Sequence, residues 1–266
     1  MTVVDTTDHN PRNARNARNP RNARTPKRPA RAPVSSSAVS LAFALALALA
    51  APGSFAHDAW VAPTASATGY PIEYGHLETM TYAQQKVKEV RAWDAKGRPI
   101  DVELTRGDAG VVAKPAQAPA MMTVTLDNGY WTKVDGKSRN VGKREAPGAT
   151  ESSHPLKYGK TIWTWGDAAF EPVGQPIEIV PERFDGEPTP GRPITVRVLR
   201  DGKPLANLVV LGDREATKAT TDANGRATFT VARGVQRLSA EQRTSIAGDP
   251  DADTLALSAS LTFVAR

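Results

Sequence analysis

The sequence predicts an all-β protein: two β-sandwich domains, immunoglobulin-like or prealbumin-like, after a disordered leader and a signal peptide. Three observations carry this. Helical periodicity is scarce, period-two alternation recurs between residues 86 and 264, and Gly, Pro, Asp and Asn punctuate the alternating runs at short intervals. There is no cysteine, so neither disulfides nor thiolate metal sites hold the fold together, and stability must come from buried surface.

Residues 1–33 form a basic low-complexity leader in which Arg-Asn-Ala repeats, a composition that cannot build a core. Residues 34–56 read as a signal peptide. The apolar run Leu41-Ala42-Phe43-Ala44-Leu45-Ala46-Leu47-Ala48-Leu49-Ala50-Ala51 is followed by Pro52-Gly53. Ser54 and Ala56 are then the small residues at −3 and −1 of a cleavage site. The apolar run is shorter than the roughly 20 residues a membrane span needs, and no Cys follows it to carry lipid, so no stable membrane anchor is expected. Cleavage after Ala56 would deliver a periplasmic protein beginning at His57.

Domain boundaries are expected at 57–181 and 193–266, with 182–192 (Pro- and Gly-rich) as the linker. In the first domain, Lys86–Trp93 alternates in part, Asp94-Ala95-Lys96-Gly97 turns, and Ile100–Leu104 alternates cleanly. Met121–Leu126, Asp127-Asn128-Gly129 and Tyr130–Val134 together read as a hairpin. Lys143–Ser153 is polar and reads as a surface loop delivering His154, while Lys157–Trp165 suits a strand or a short helix. In the second domain, Pro193–Leu199 and Leu208–Leu211 are strands, and Arg200-Asp201-Gly202-Lys203 turns. Asp222-Ala223-Asn224-Gly225 turns into a strand through Val231, and Leu255–Val264 closes the chain.

The basic character of the whole chain is misleading. Eight of its 34 Lys and Arg residues and two of its 28 acids lie in residues 1–56, leaving 26 of each beyond. A near-neutral remainder gives no electrostatic reason for nucleic-acid binding. Gly-x-Ser-x-Gly, His-Glu-x-x-His and phosphate-loop motifs are all missing, so no enzymatic chemistry is expected.

Metal chemistry is what the histidines offer. Beyond the leader there are His57, His76 and His154, all in the first domain. Cleavage after Ala56 would place an α-amine and an imidazole on one residue, a chelating pair that no internal histidine has. Gly75 permits close backbone approach at His76, and on a strand Glu78 would share its face. His154 precedes Pro155, which favours extended backbone. Imidazole nitrogen suits Ni, Co, Cu and Zn, while carboxylates such as Asp58 and Glu78 would orient the rings rather than ligate. Trp60 is expected to anchor the new terminus. Trp93, Trp131, Trp163 and Trp165 suit core packing better than a sugar groove, and at most one of Met121 and Met122 could reach a metal.

The opening His57-Asp58-Ala59-Trp60-Val61-Ala62-Pro63 resembles the start of a bacterial exported family described as a domain of unknown function and as a nickel-uptake or periplasmic cobalt/nickel transport component. Further stretches fit: Tyr74-Gly75-His76, Ser153-His154-Pro155-Leu156-Lys157-Tyr158-Gly159-Lys160, and Gly174-Gln175-Pro176-Ile177-Glu178-Ile179-Val180-Pro181. Val198–Leu205 followed by Thr221–Gly225 is similar to a prealbumin-like, carboxypeptidase-regulatory-like sandwich. The resemblance implies an exported metal-handling protein with His57, His76 and His154 as ligands of a divalent metal, nickel or cobalt. An inner-membrane metal transporter is the partner it implies. Copper bound at the same site, or a metal-free β-sandwich interaction module, are the alternatives.

Overall fold

A computed structural model of the protein describes residues 57–266 apart from 77, 109 and 213–215. The leader, the signal peptide and the expected cleavage after Ala56 lie outside the described residues. The protein is all-β. Three short 3-10 turns, Gln84–Lys86, Lys143–Glu145 and Asp167–Phe170, are the helical elements among the described residues, and no helix there is long and apolar enough to cross a membrane.

The strands of the N-terminal part are Asp58–Val61 (β1), Tyr70–Gly75 (β2), Val87–Trp93 (β3), Pro99–Ile100 (β4), Val102–Gly107 (β5) and Gly110–Pro115 (β6). Met121–Asp127 (β7), Trp131–Val134 (β8), Lys137–Arg139 (β9), Glu151–Ile162 (β10) and Ile177–Pro181 (β11) follow. The remainder comprises Pro193–Arg200 (β12), Lys203–Pro204 (β13), Val209–Gly212 (β14), Thr217–Thr220 (β15) and Arg226–Thr230 (β16). Gly234–Ser245 (β17) and Thr254–Ala265 (β18) complete the chain.

A ten-stranded sheet forms the middle of the structure, in the order β15-β14-β17-β18-β10-β7-β3-β4, with β8 and β9 continuing alongside β10. Period-two alternation along its long strands loads both faces. Met122, Val124 and Leu126 of β7 turn to one face and pack with Ala59, Val61, Ile72 and Val111 of a four-stranded sheet ordered β1-β2-β6-β5. Met121, Tyr158, Ile162, Leu261 and Phe263 turn to the other and pack with Ile177, Ile179, Val196 and Val198 of a sheet built from β11, β12, β13 and β16. Adjacent Met121 and Met122 therefore enter different cores, as strand geometry requires.

Several local expectations change once pairing is known. The segments 121–127 and 131–134 are strands but not a hairpin: β7 pairs with residues 156–162 of β10 and β8 with 151–153, so they lie end to end along the same partner. The Ile100–Leu104 run is not one strand. It breaks at Asp101, with β4 pairing to β3 in the middle sheet and β5 to β6 in the outer one. His154 lies inside β10 rather than at the end of a loop, and Lys157–Ile162 is strand. The stretch 182–192 connects β11 to β12, which pair antiparallel. Strand β18 pairs with β10 in parallel from Ser153↔Thr254 to Ile162↔Phe263, so the middle sheet runs without a break from residues before 181 to residues after 193.

The turns match their chemistry. Asp94 Oδ1 accepts from the backbone N–H groups of Lys96 and Arg98, and Asp222 Oδ1 does the same for Asn224 and Arg226.

Candidate functional site

Strand β1 places His57. Its register with β2 runs from Val61↔Ile72 to Asp58↔Gly75, and His57 and His76 are the residues next to that last pair. The two imidazoles lie near enough to act on each other electrostatically. The strand pair ends there because Gly75 takes φ +153°, and a Cβ at 75 would stand 2.0 Å from the Glu78 carbonyl oxygen. The chain folds back at once, with Gly75 bridging to Thr79. Glu78 is therefore beyond a turn and does not share a strand face with His76, contrary to the expectation from alternation.

Arg237 of β17 ties this corner down. Its guanidinium donates to the His76 carbonyl and stacks 3.8 Å from the Trp60 ring centroid. Trp60 in turn donates its indole N–H to Glu73. Trp60 is held by this cation–π stack and by Glu73 rather than by a place in either apolar core.

Beneath, β1 crosses the middle sheet at very close range. Ser260 Oγ donates to the Ala59 carbonyl at 2.8 Å, and Thr161 Oγ1 to the Val61 carbonyl at 2.7 Å. Trp163 Nε1 donates to the Pro63 carbonyl at 2.7 Å. Gly159 allows the crossing, because a Cβ there would meet the Ala59 carbonyl oxygen at 2.2 Å.

Asp58 is buried and is turned into a polar network, not toward the imidazoles. Burial pushes its carboxyl up to about 7, against the opposing pull of Lys157, Arg237 and a hydrogen bond with Ser239. Lys157 is equally buried and its ammonium is pushed down by desolvation, partly offset by Glu241 and Asp58. It donates to Ser258 Oγ at 2.8 Å and reaches Glu241 Oε2 at 3.4 Å. His57 is held below its ordinary value by burial first, then by Lys157 and His76, so the neutral imidazole is favoured at neutral pH.

His57 forms part of the wall of a cleft of about 650 Å³. Its ring lies 5.3 Å from that of Tyr74. Lys86, Asn128, Trp131, Lys157, Glu241 and Arg243 also line the cleft. Lys86 donates to Asn128 Oδ1 at 2.9 Å and to Asn140 Oδ1 at 3.0 Å, with its Nζ 5.6 Å from the Trp131 ring centroid.

His154 is not part of this arrangement. Ser153, Pro155 and Lys157 line the cleft, so strand alternation sends His154 to the opposite face of β10. There its Nε2 is 2.8 Å from Asp127 Oδ1 and its ring stacks 4.5 Å from that of Tyr130. Of the three histidines, the structure brings together His57 and His76 and directs His154 elsewhere. Among the described residues there is no group of three or more His, Asp or Glu side chains that could hold a metal. A metal at the His57–His76 corner would accordingly need the α-amine as a third protein donor.

The cleft residues Lys86, Trp131, Lys157, Glu241 and Arg243 were not evident from the sequence. Lys157 sits within Ser153–Lys160, but nothing local marks it as buried. The Glu241–Arg243 side arrives only through β17 pairing with β18 and β18 with β10. The last Lys of that stretch, Lys160, is structural: it is fully buried and ion-paired with Glu178, whose carboxylate also accepts from the N–H groups of Val173 and Gly174.

An all-β protein with stacked sheets and a cleft lined by His57 and several charged side chains is thus the class defined. The chain belongs to the family described as Domain of unknown function (DUF4198), which it matches over residues 54–244. It is also 30% identical over 214 residues to an uncharacterized protein of Haemophilus influenzae, covering 79% of this chain and 91% of that protein. No solved structure matches.

Proposed function

We propose that this chain is an exported, non-enzymatic protein of the periplasm that captures a divalent transition metal, nickel or cobalt, and passes it to an inner-membrane transporter. The ligands are the α-amine and imidazole of His57, released by cleavage after Ala56, and the imidazole of His76. The observation that supports this reading is that His57 and His76, the residues next to the last β1–β2 pair Asp58↔Gly75, lie near enough for their imidazoles to act on each other. A neutral imidazole is the ligating form, and the surroundings of His57 favour it. Such a nitrogen-rich site holds Cu(II) more tightly than Ni(II) by the Irving–Williams order, so copper is the rival cargo.

Calorimetry on protein beginning at His57, with Ni(II), Co(II) and Cu(II), tests the proposal. His57→Ala and His76→Ala should each weaken binding by at least roughly tenfold, since loss of even an outer-shell partner of a ligand costs about that much. Equal affinity in wild type and both variants would dismiss the site.

A further inference from the structure

The cleft beside His57 has more room and more positive charge than a bare cation requires. Its volume of about 650 Å³ falls in the range of small-molecule sites. Its wall carries four cationic side chains, Lys86, Lys133, Lys157 and Arg243, and two carboxylates, Glu151 and Glu241. Lys133 and Glu151 neutralise each other at 3.0 Å. Glu241 is shared between Lys157 at 3.4 Å and Arg243 at 2.9 Å. Lys86 rests on two amide oxygens, and Asp127, which acts on it electrostatically, is itself bonded to His154. Asp58 and Asp127 act on Lys157 and Lys86 from outside the wall, while among the side chains of the wall itself cations outnumber carboxylates four to two before any metal enters. A dication at His57 and His76 would add to the cations, and three nitrogen donors leave further coordination positions open.

We infer that the cleft binds a small organic anion with at least two carboxylates. One carboxylate is held by Lys86 above the face of Trp131, together with Arg243 of the same cleft. Another reaches the cation at His57 and His76 and fills its remaining positions. The second half rests on the proposed function; the first does not. Charge-assisted hydrogen bonds from an ammonium and a guanidinium are the strong contacts available here, and a ring beneath the ammonium excludes water from one side.

The test is calorimetry on protein beginning at His57, titrated with Ni(II) alone, citrate alone, the preformed nickel–citrate complex, and glucose. Citrate should bind without metal, and the complex should bind roughly tenfold more tightly than Ni(II) alone, as one or two charge-assisted bonds allow. Lys86→Gln and Arg243→Gln should each abolish the citrate effect while leaving binding of Ni(II) alone unchanged. Arg243 is exposed enough that its variant keeps the fold in question out of the result. If Ni(II) binds but citrate neither binds nor tightens it, the inference falls and the metal site stands. Citrate binding that both variants leave intact also overturns it, as does binding of glucose in place of citrate. If citrate binds in the cleft while Ni(II) binds in no form, the anion site stands and the metal reading falls. Binding of neither removes both.

Discussion

Gly159→Ala is the most diagnostic single change for how the histidine corner is held. The backbone at 159 is not in the left-handed region, so Ala would meet no torsional strain. In most such positions it would stabilise the protein by about 0.4–1 kcal/mol through the unfolded chain. Here the added methyl would stand 2.2 Å from the Ala59 carbonyl oxygen and 3.0 Å from its carbon. Both are backbone atoms and cannot swing aside, so β1 must back away by about an ångström to reach ordinary contact. Overpacking of that kind costs about 1–3 kcal/mol. Weakening the 2.8 Å bond from Ser260 to Ala59 adds about 1 kcal/mol. The net expectation is about 1–3 kcal/mol of destabilisation, which for a domain of this size lowers the midpoint by roughly 3–10 °C. The displacement acts two residues from His57, so metal affinity should fall with it. Thermal unfolding and nickel calorimetry on the same samples read both effects. A neutral or raised midpoint with unchanged affinity would refute the account of how β1 crosses the middle sheet.

Two further outcomes follow from the buried network and from His154. The Asp58 carboxyl is raised to about 7, whereas in the unfolded chain it titrates near its usual value of roughly 4. The folded state thus keeps this proton in a window where the unfolded state has released it, and stability declines as pH rises through that window. Asp58→Asn abolishes this, so relative to wild type it should gain on the order of 2–4 kcal/mol between pH 4 and pH 8; urea unfolding at pH 4, 6 and 8 would expose a pH-independent difference, the contrary result. His154→Ala should leave nickel affinity unchanged, because that ring faces Asp127 and Tyr130 across the sheet from the cleft. A large loss of affinity in that variant, with its fold intact by circular dichroism, would place the metal elsewhere.

The strands and tight turns were readable from the sequence because both are local. Alternation at Pro193–Leu199 and Leu255–Val264, and the Asp-led turns at 94 and 222, reappear in the structure nearly residue for residue. Pairing was not, since it depends on partners far along the chain. The Asp127-Asn128-Gly129 signal suggested a hairpin, yet both flanking strands pair with β10 instead of with each other. The Ile100–Leu104 alternation hid a change of sheet at Asp101, which period two alone cannot reveal. In the site, His57 and His76 could be named from residue type and from the cleavage pattern. That His154 turns away needed only its parity within a strand, once that strand was known to include it. The cationic cleft wall was beyond reach, because a buried Lys157 looks like any other lysine until β18 is laid beside β10.

The most direct measurement is intact mass spectrometry, under conditions that retain metal, of the protein recovered from the periplasm of cells expressing the full chain. The spectrum is expected to show a polypeptide starting at His57 and carrying one nickel, cobalt or copper ion, with the ion lost when a single residue is engineered in front of His57. A different first residue, or a metal that stays bound after that extension, would contradict a site built on the His57 amine.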